Sequence, residues 1–234
     1  SMPESSRGKA YLWVSWLSGY LSGDKHCEWA LWYRANYRYE KRVDSNDDRL
    51  AQWAGEHADL VRLRAADLTA NGWRVSVEDQ NKFTINGMTV IVGGKPDLVA
   101  QKPGVFRVED VKTGARKGSD VWQVLTYLTL LPLADESLVG LSQEGAVVYK
   151  DGEQPVRWLA ENQSTRTISL NGSLDLESPD GSASRERILS RIRSVATTIA
   201  PARIPSEGEC RFCDVACCPD RFVGLATVAA TSAF

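Results

Sequence analysis

The sequence has no run of apolar residues approaching the roughly 18 needed to cross a bilayer, and its start lacks a basic segment, apolar core and cleavage site in succession. The expectation is a cytoplasmic chain with no membrane span. Charge of one sign is also lacking: 28 Lys and Arg against 30 Asp and Glu leave a net charge of -2. No overall field draws in a polyanion, so contact with nucleic acid must come from a local basic patch. There is no internal repeat and no low-complexity tract. Cysteine is sparse, five in all, yet four crowd into Cys210, Cys213, Cys217 and Cys218. In a chain without a leader, that crowding argues against a disulfide framework and for metal binding.

What is present suits a soluble domain. With 234 residues, 43% of them hydrophobic and 25% charged, the chain can bury a sizeable core. The opening Ser1-Met2 resembles a remnant of tag removal before a start methionine. Ser15 reads as the cap of a first helix, and Cys27-Glu-Trp-Ala-Leu-Trp-Tyr-Arg as a second whose aromatics pack inward. Residues 46–71 read as a long amphipathic helix stopped at Asn71-Gly72. The period then switches to two, with strands over 73–77, 82–85, 88–92, 97–100 and 105–111, and Asn86-Gly87 reads as a two-residue hairpin turn. Helices follow at 120–131 and 184–200, the latter capped by Ser184, with strands at 145–149, 157–159 and 165–170 and a surface loop over 171–182. The implied fold is α/β, with a central, mostly antiparallel sheet flanked by helices. The tail after Pro201 has no periodicity, so something other than a core must hold it.

Alternation along 105–112 puts Phe106, Val108, Asp110 and Lys112 on one face and Arg107, Glu109 and Val111 on the other. Asp110 and Lys112 are then neighbours about 7 Å apart along the strand. A short hairpin through Lys102-Pro103-Gly104 brings Asp97 beside them. Two carboxylates and a lysine are what metal-assisted phosphodiester hydrolysis requires, with oxygens for Mg²⁺ or Mn²⁺ and a cation to orient the attacking water. Taken alone, the same pair also describes an ordinary Asp–Lys contact on a half-exposed strand.

The ordered set Gly94-Lys-Pro-Asp97, Glu109-Asp110-Val111-Lys112-Thr-Gly and Gln123-Val-Leu-Thr-Tyr127 resembles the signature of RecB-type nucleases in the PD-(D/E)xK superfamily. The resemblance runs from Ser15 to Pro219 and implies a restriction-endonuclease-like core, with one nuclease domain over 3–225 and a tail over 226–234. It implies catalytic roles for Asp97, Asp110, Lys112, Gln123 and Tyr127, and metal ligands among His57, Asp97, Asp110 and Val111. Glu109 has Val111 rather than lysine two residues on, which assigns it to the opposite face.

Cys210-Arg-Phe-Cys213 has spacing that lets two thiolates share a metal, and Cys217-Cys218-Pro219 follows. With Cys27 far upstream, this is similar to the iron-sulfur staple of RecB-type nucleases, including CRISPR-associated exonucleases. The resemblance implies a 4Fe-4S cluster on Cys27, Cys210, Cys213 and Cys218, joining the N- and C-terminal segments. Zinc is the alternative metal and Cys217 the alternative fourth ligand. The function implied is a DNA exonuclease on single-stranded ends, working with partners in DNA repair or CRISPR adaptation. A non-catalytic DNA-binding or assembly subunit and a restriction-type endonuclease are the rivals. Arg34, Arg38, Lys41, Arg42, Arg116 and Lys117 are candidates for phosphate contacts.

Overall fold

The computed structural model describes residues 5–42, 47–156 and 181–222. The elements are β1 (Ser5–Ser6), β2 (Ala10–Trp13), α1 (Val14–Ser22), α2 (Glu28–Asn36), β3 (Tyr37–Arg38), α3 (Asp47–Ala70), β4 (Arg74–Val77), β5 (Phe83–Asn86), β6 (Val90–Gly94), β7 (Leu98–Lys102), β8 (Val105–Lys112), α4 (Gly118–Ala134), β9 (Ser142–Tyr149), β10 (Gly152–Val156), α5 (Ser182–Ser194) and α6 (Glu207–Arg211). They build a mixed α/β fold in which the main sheet has the order β10-β9-β8-β7-β4. Only β8 and β9 run parallel there, because α4 carries the chain back across the sheet between them. Among the described residues, no helix is long and apolar enough to cross a membrane.

Strand β8 shows why this sequence takes this form. Its alternation is satisfied on both faces: Phe106 and Val108 enter a core built with α1 and α4, while Val111 joins Leu98, Ala100, Val61 and Leu68 beneath α3. Full burial of each such side chain is worth about 1.5–3 kcal/mol, so slipping the strand by one residue would forfeit both cores. Helix α4 is apolar on nearly every side and is accordingly buried from Val121 to Leu131.

Several local expectations are corrected. One central sheet was expected, but β5 and β6 leave it and pair with β2 in a separate three-stranded sheet. Asn86-Gly87 makes no two-residue turn. Asn86 pairs with Ile91, residues 87–90 form the loop, and Gly87 does not take positive φ. Helix α1 starts at Val14, with Trp13 rather than Ser15 as its cap. Ser184 is buried inside α5, which begins at Ser182 after a left-handed Gly181. That helix stops at Ser194 because α2 captures the departing chain: Asn36 Nδ2 donates to Val195 O and Trp32 Nε1 to Thr197 O, both at 2.8 Å. The strand after β9 is 152–156. The strands expected at 157–159 and 165–170 lie outside the described residues, as does the loop expected over 171–182 except for its last two residues, of which Ser182 already belongs to α5.

Glu109 does lie on the opposite face from Asp110, and it is fully buried. Arg64 of α3 clamps it with Nε and Nη2 at 2.7 and 2.8 Å, and Arg107 Nε approaches at 2.5 Å. Removing the cations strands a charge in a dry interior, which typically costs about 3–5 kcal/mol. We predict a loss of that size for Arg64→Met/Arg107→Met in urea unfolding. A double variant within about 1 kcal/mol of wild type would show that the clamp contributes little.

Candidate active site

The site forms where β7 and β8 meet. Leu98 pairs with Glu109, so Asp97 sits one step beyond, opposite Asp110. There the Asp97 side chain takes over from the backbone ladder: Oδ2 accepts the Val111 N–H at 2.7 Å and lies 3.3 Å from His57 Nε2. Its carbonyl accepts the N–H of Glu78 at 2.9 Å, which holds Glu78 at φ 42, a left-handed conformation rare for a side chain of this kind. Val111 offers this site only backbone, since its side chain is in the core under α3. His57 reaches Asp97 from α3, with Trp53 one turn earlier stacked on its ring at 5.5 Å. The hydrogen bond to Asp97 raises the His57 pKa, against the opposing effect of burial.

Asp110 is 1% exposed. Its Oδ1 accepts from Gln123 Nε2 at 2.9 Å, while Oδ2 touches the Lys112 ammonium but has no well-directed hydrogen bond. Burial, reinforced by the neighbouring Asp97, pushes its pKa up to about 7 despite Lys112. Burial works against the Lys112 charge as well, but the Asp110 carboxylate outweighs it and the lysine pKa is raised. Gln123 and Tyr127 share one face of α4, as their spacing implies. Tyr127 donates to Lys95 O at 3.2 Å and receives Gln123 Nε2 at 3.4 Å. Gly94 makes room for this ring: a Cβ there would lie 2.9 Å from Tyr127 and 2.6 Å from Phe83.

Asp97, Asp110, Lys112, His57, Gln123 and Tyr127 are thus brought together. Sequence reasoning missed Asn81, a buried side chain that donates to Pro96 O at 3.1 Å and Ser76 O at 3.0 Å and so steadies the backbone entering Asp97. It also missed Asp120, whose Oδ2 takes the Tyr149 hydroxyl and the Lys117 N–H. The i, i+4 spacing of Trp53 and His57 was a readable signal. Asn81, in a single 3₁₀ turn, gave none.

Carboxylates and an imidazole suit Mg²⁺ or Mn²⁺, and an under-bonded, buried Asp110 oxygen is what a divalent cation would satisfy. Among the described residues, no three His, Cys, Asp or Glu side chains close around one point. The donor set, rather than a preformed cage, therefore carries the fit.

Lys112, Lys117, Ser119 and Gln123 form one wall of an open cleft of about 910 Å³. Cys27, Cys210, Cys213 and Cys218 line the same cleft, and Cys217 does not. All five are free thiols, and burial raises the Cys218 pKa. Cys217 is exposed, with Sγ 3.2 Å from the Tyr33 hydroxyl. Soft sulfur donors on one cavity suit iron or zinc. The expected phosphate contacts divide. Arg34 is buried against Asp214 at 2.7 Å, Arg42 donates to Arg211 O, and Arg116 pairs with Asp151, whereas Lys117 faces the cleft.

A sequence profile described as the PD-(D/E)XK nuclease superfamily matches residues 19–219, a stretch containing every candidate ligand named above. No protein of curated function matches the chain by sequence. The solved structure of SSO0001 is 14% identical, covering 93% of this chain and 90% of its own with a TM-score of 0.44.

The raised Asp110 pKa has a direct consequence in metal-free protein. A carboxyl whose folded pKa exceeds its unfolded value contributes stability below the unfolded pKa and loses it as pH rises through the folded one. We predict that in EDTA wild type loses stability between about pH 4 and about pH 7. Asp110→Asn should lack that slope. Parallel pH–stability curves for the two proteins would count against the buried, under-compensated carboxylate.

Proposed function

Because the chain belongs to the PD-(D/E)XK nuclease superfamily, whose members are metal-dependent nucleases, we propose that it is a DNA exonuclease acting on single-stranded ends. The observation that carries this reading is the Asp97–Asp110 pair, buried at Asp110 and partly buried at Asp97, with Lys112 in contact at the rim of an open cleft. In this reading His57, Asp97 and Asp110, with the backbone of Val111, hold Mg²⁺ or Mn²⁺. When bound, the cation stabilises negative charge developing on the scissile phosphate. Lys112 orients the attacking water and adds a fixed positive charge. Gln123 fixes the rotamer of Asp110, and Tyr127, held on Lys95, positions the backbone before Asp97.

The single-strand preference, the RecB type, the single domain over 3–225 and partners in DNA repair or CRISPR adaptation rest on the sequence resemblance. So does a 4Fe-4S cluster on Cys27, Cys210, Cys213 and Cys218, with zinc as the competing occupant. The common cleft supports the choice of Cys218 over Cys217.

End-labelled single- and double-stranded DNA incubated with Mn²⁺ or with EDTA tests the activity. Lys112→Ala and Asp110→Asn are expected to slow cutting by about 100- to 1000-fold, and Gln123→Ala by less. Near-wild-type rates for the first two would sink the assignment of this site, and a wild type that does not cut with Mn²⁺ would leave the non-catalytic reading. For the thiols, Cys218→Ser should lose metal and lower the melting temperature, while Cys217→Ser should do little. Metal analysis and visible absorbance of anaerobically purified protein decide this, and one zinc with no iron would replace the iron-sulfur reading.

A further inference from the structure

On the far side of α1 from the catalytic wall lies a second concavity that the nuclease reading does not use. An open pocket of about 300 Å³ is lined by Arg7, Tyr11, Trp13, Trp16, Arg38 and Lys41, with Tyr39 at its edge. It continues into another of about 450 Å³ that shares Arg7, Tyr11 and Arg38 and adds Lys9. Among the described residues, no carboxylate lines either one. None of these four cations forms an ion pair with a described residue; Lys9 only donates to Asn86, at 2.6 Å.

The fold holds this charge in place. The β1–β3 ladder pairs Ser6 with Tyr37 and Ser5 with Arg38, and the Arg7 N–H donates to Asn36 O at 2.7 Å, which brings Arg7 and Arg38 to the same two pockets. Arg7 Nε is buried without a hydrogen-bond partner. Like charges side by side are unfavourable unless an anion joins them.

The aromatic part is equally specific. Tyr11 and Trp13 are two apart on β2, so they share the face opposite buried Ala10 and Leu12, and their rings meet edge-on at 6.0 Å. They lie against β6 at Gly93, where a Cβ would come within 2.5 Å of the Tyr11 hydroxyl. Trp16 adds a third partly exposed ring from the first turn of α1. Its neighbour Ser15 already lines the large cleft with Lys112 and Gln123. The groove and the large cleft therefore adjoin at neighbouring residues of α1.

Aromatic faces interleaved with unpaired cations are what an unstructured polynucleotide needs: bases stack and phosphates pair. We propose that this groove binds single-stranded nucleic acid outside the cutting site, with bases on Tyr11, Trp13 and Trp16 and phosphates on Arg7, Arg38 and Lys41. The inference takes its ligand class from the proposed nuclease function, but its test is independent of cutting.

In EDTA, full-length protein is titrated with a fluorescein-labelled thymidine oligonucleotide of roughly 12 nucleotides, within the span such grooves cover. Wild type should bind with quenching of tryptophan emission. Trp13→Ala/Trp16→Ala should weaken binding at least about fivefold per lost stack. Arg38→Ala/Lys41→Ala, at exposed unpaired positions that leave folding alone, should lower the slope of log K against log salt by about 0.7 per contact. Wild-type affinity and salt slope in both variants overturn the proposal. So does a wild type that fails to bind the oligonucleotide, which would give the groove to a protein partner. If wild type does not cut with Mn²⁺ but the variants lose binding, the nuclease reading falls and the groove stands. If it cuts and the variants bind normally, the reverse holds.

Discussion

Keeping Asp97 and Asp110 side by side, the first largely and the second almost wholly out of water, is the constraint on which the rest of this structure turns. Two adjacent carboxylates repel, and burial denies them the water that would screen them. The surrounding groups offset that cost in part: a strand N–H and an imidazole at Asp97, an amide and an ammonium at Asp110. The compensation at Asp110 is incomplete, and its raised pKa records the shortfall.

Glu109 shows that this shortfall is local. It is the residue before Asp110 on the same strand, it is more deeply buried, and both its oxygens are met by guanidinium groups. The chain can therefore satisfy a buried acid completely, and it does so on the face turned to α3. On the other face it leaves an oxygen under-bonded beside a cleft. A satisfied carboxylate does structural work, whereas an unsatisfied one at an opening invites a cation or a proton. Helix α3 serves both faces, since His57 and Arg64 are two turns apart and therefore project alike.

Much of this was legible in the sequence. Period-two alternation in 105–112 assigned Asp110 and Glu109 to opposite faces, the four-residue spacing of Gln123 and Tyr127 put both on one helix face, and the resemblance turned that face to the site. Those are local periodicities, which the chain carries on its surface. What was not legible was long-range. Strands β5 and β6 alternate as a member of the main sheet would, and only their pairing with β2, some 80 residues earlier in the chain, takes them into another sheet. Asn86-Gly87 has the composition of a tight turn, but the strand offset leaves four residues to close it. The end of α5 was misplaced because Asn36 and Trp32, from a distant helix, stop it. Asn81 and Asp120 looked like ordinary loop and helix-start polars, since their importance lies in partners that no spacing announces.

The same distinction explains how an aperiodic tail is held. Glu209 accepts the backbone N–H groups of His26 and Cys27, so the residue beside Cys210 caps the helix that begins after Cys27. Arg34 and Tyr39 both bind Asp214, Lys41 bridges to Val215, and the stacked rings of Trp29, Tyr33 and Tyr37 cover Val215. Arg221 then gathers the carbonyls of Cys210, Cys213 and Val215 around one guanidinium. Each contact joins a residue near a cysteine to the segment from His26 to Lys41 or to the cysteine loop itself. The tail is therefore held in part by contacts that need no metal. Directed hydrogen bonds from the chain's own groups bring the four thiols to one cavity, and a metal bound there would add its free energy to a junction already made rather than supply all of it, as it does in small domains that fold only around zinc.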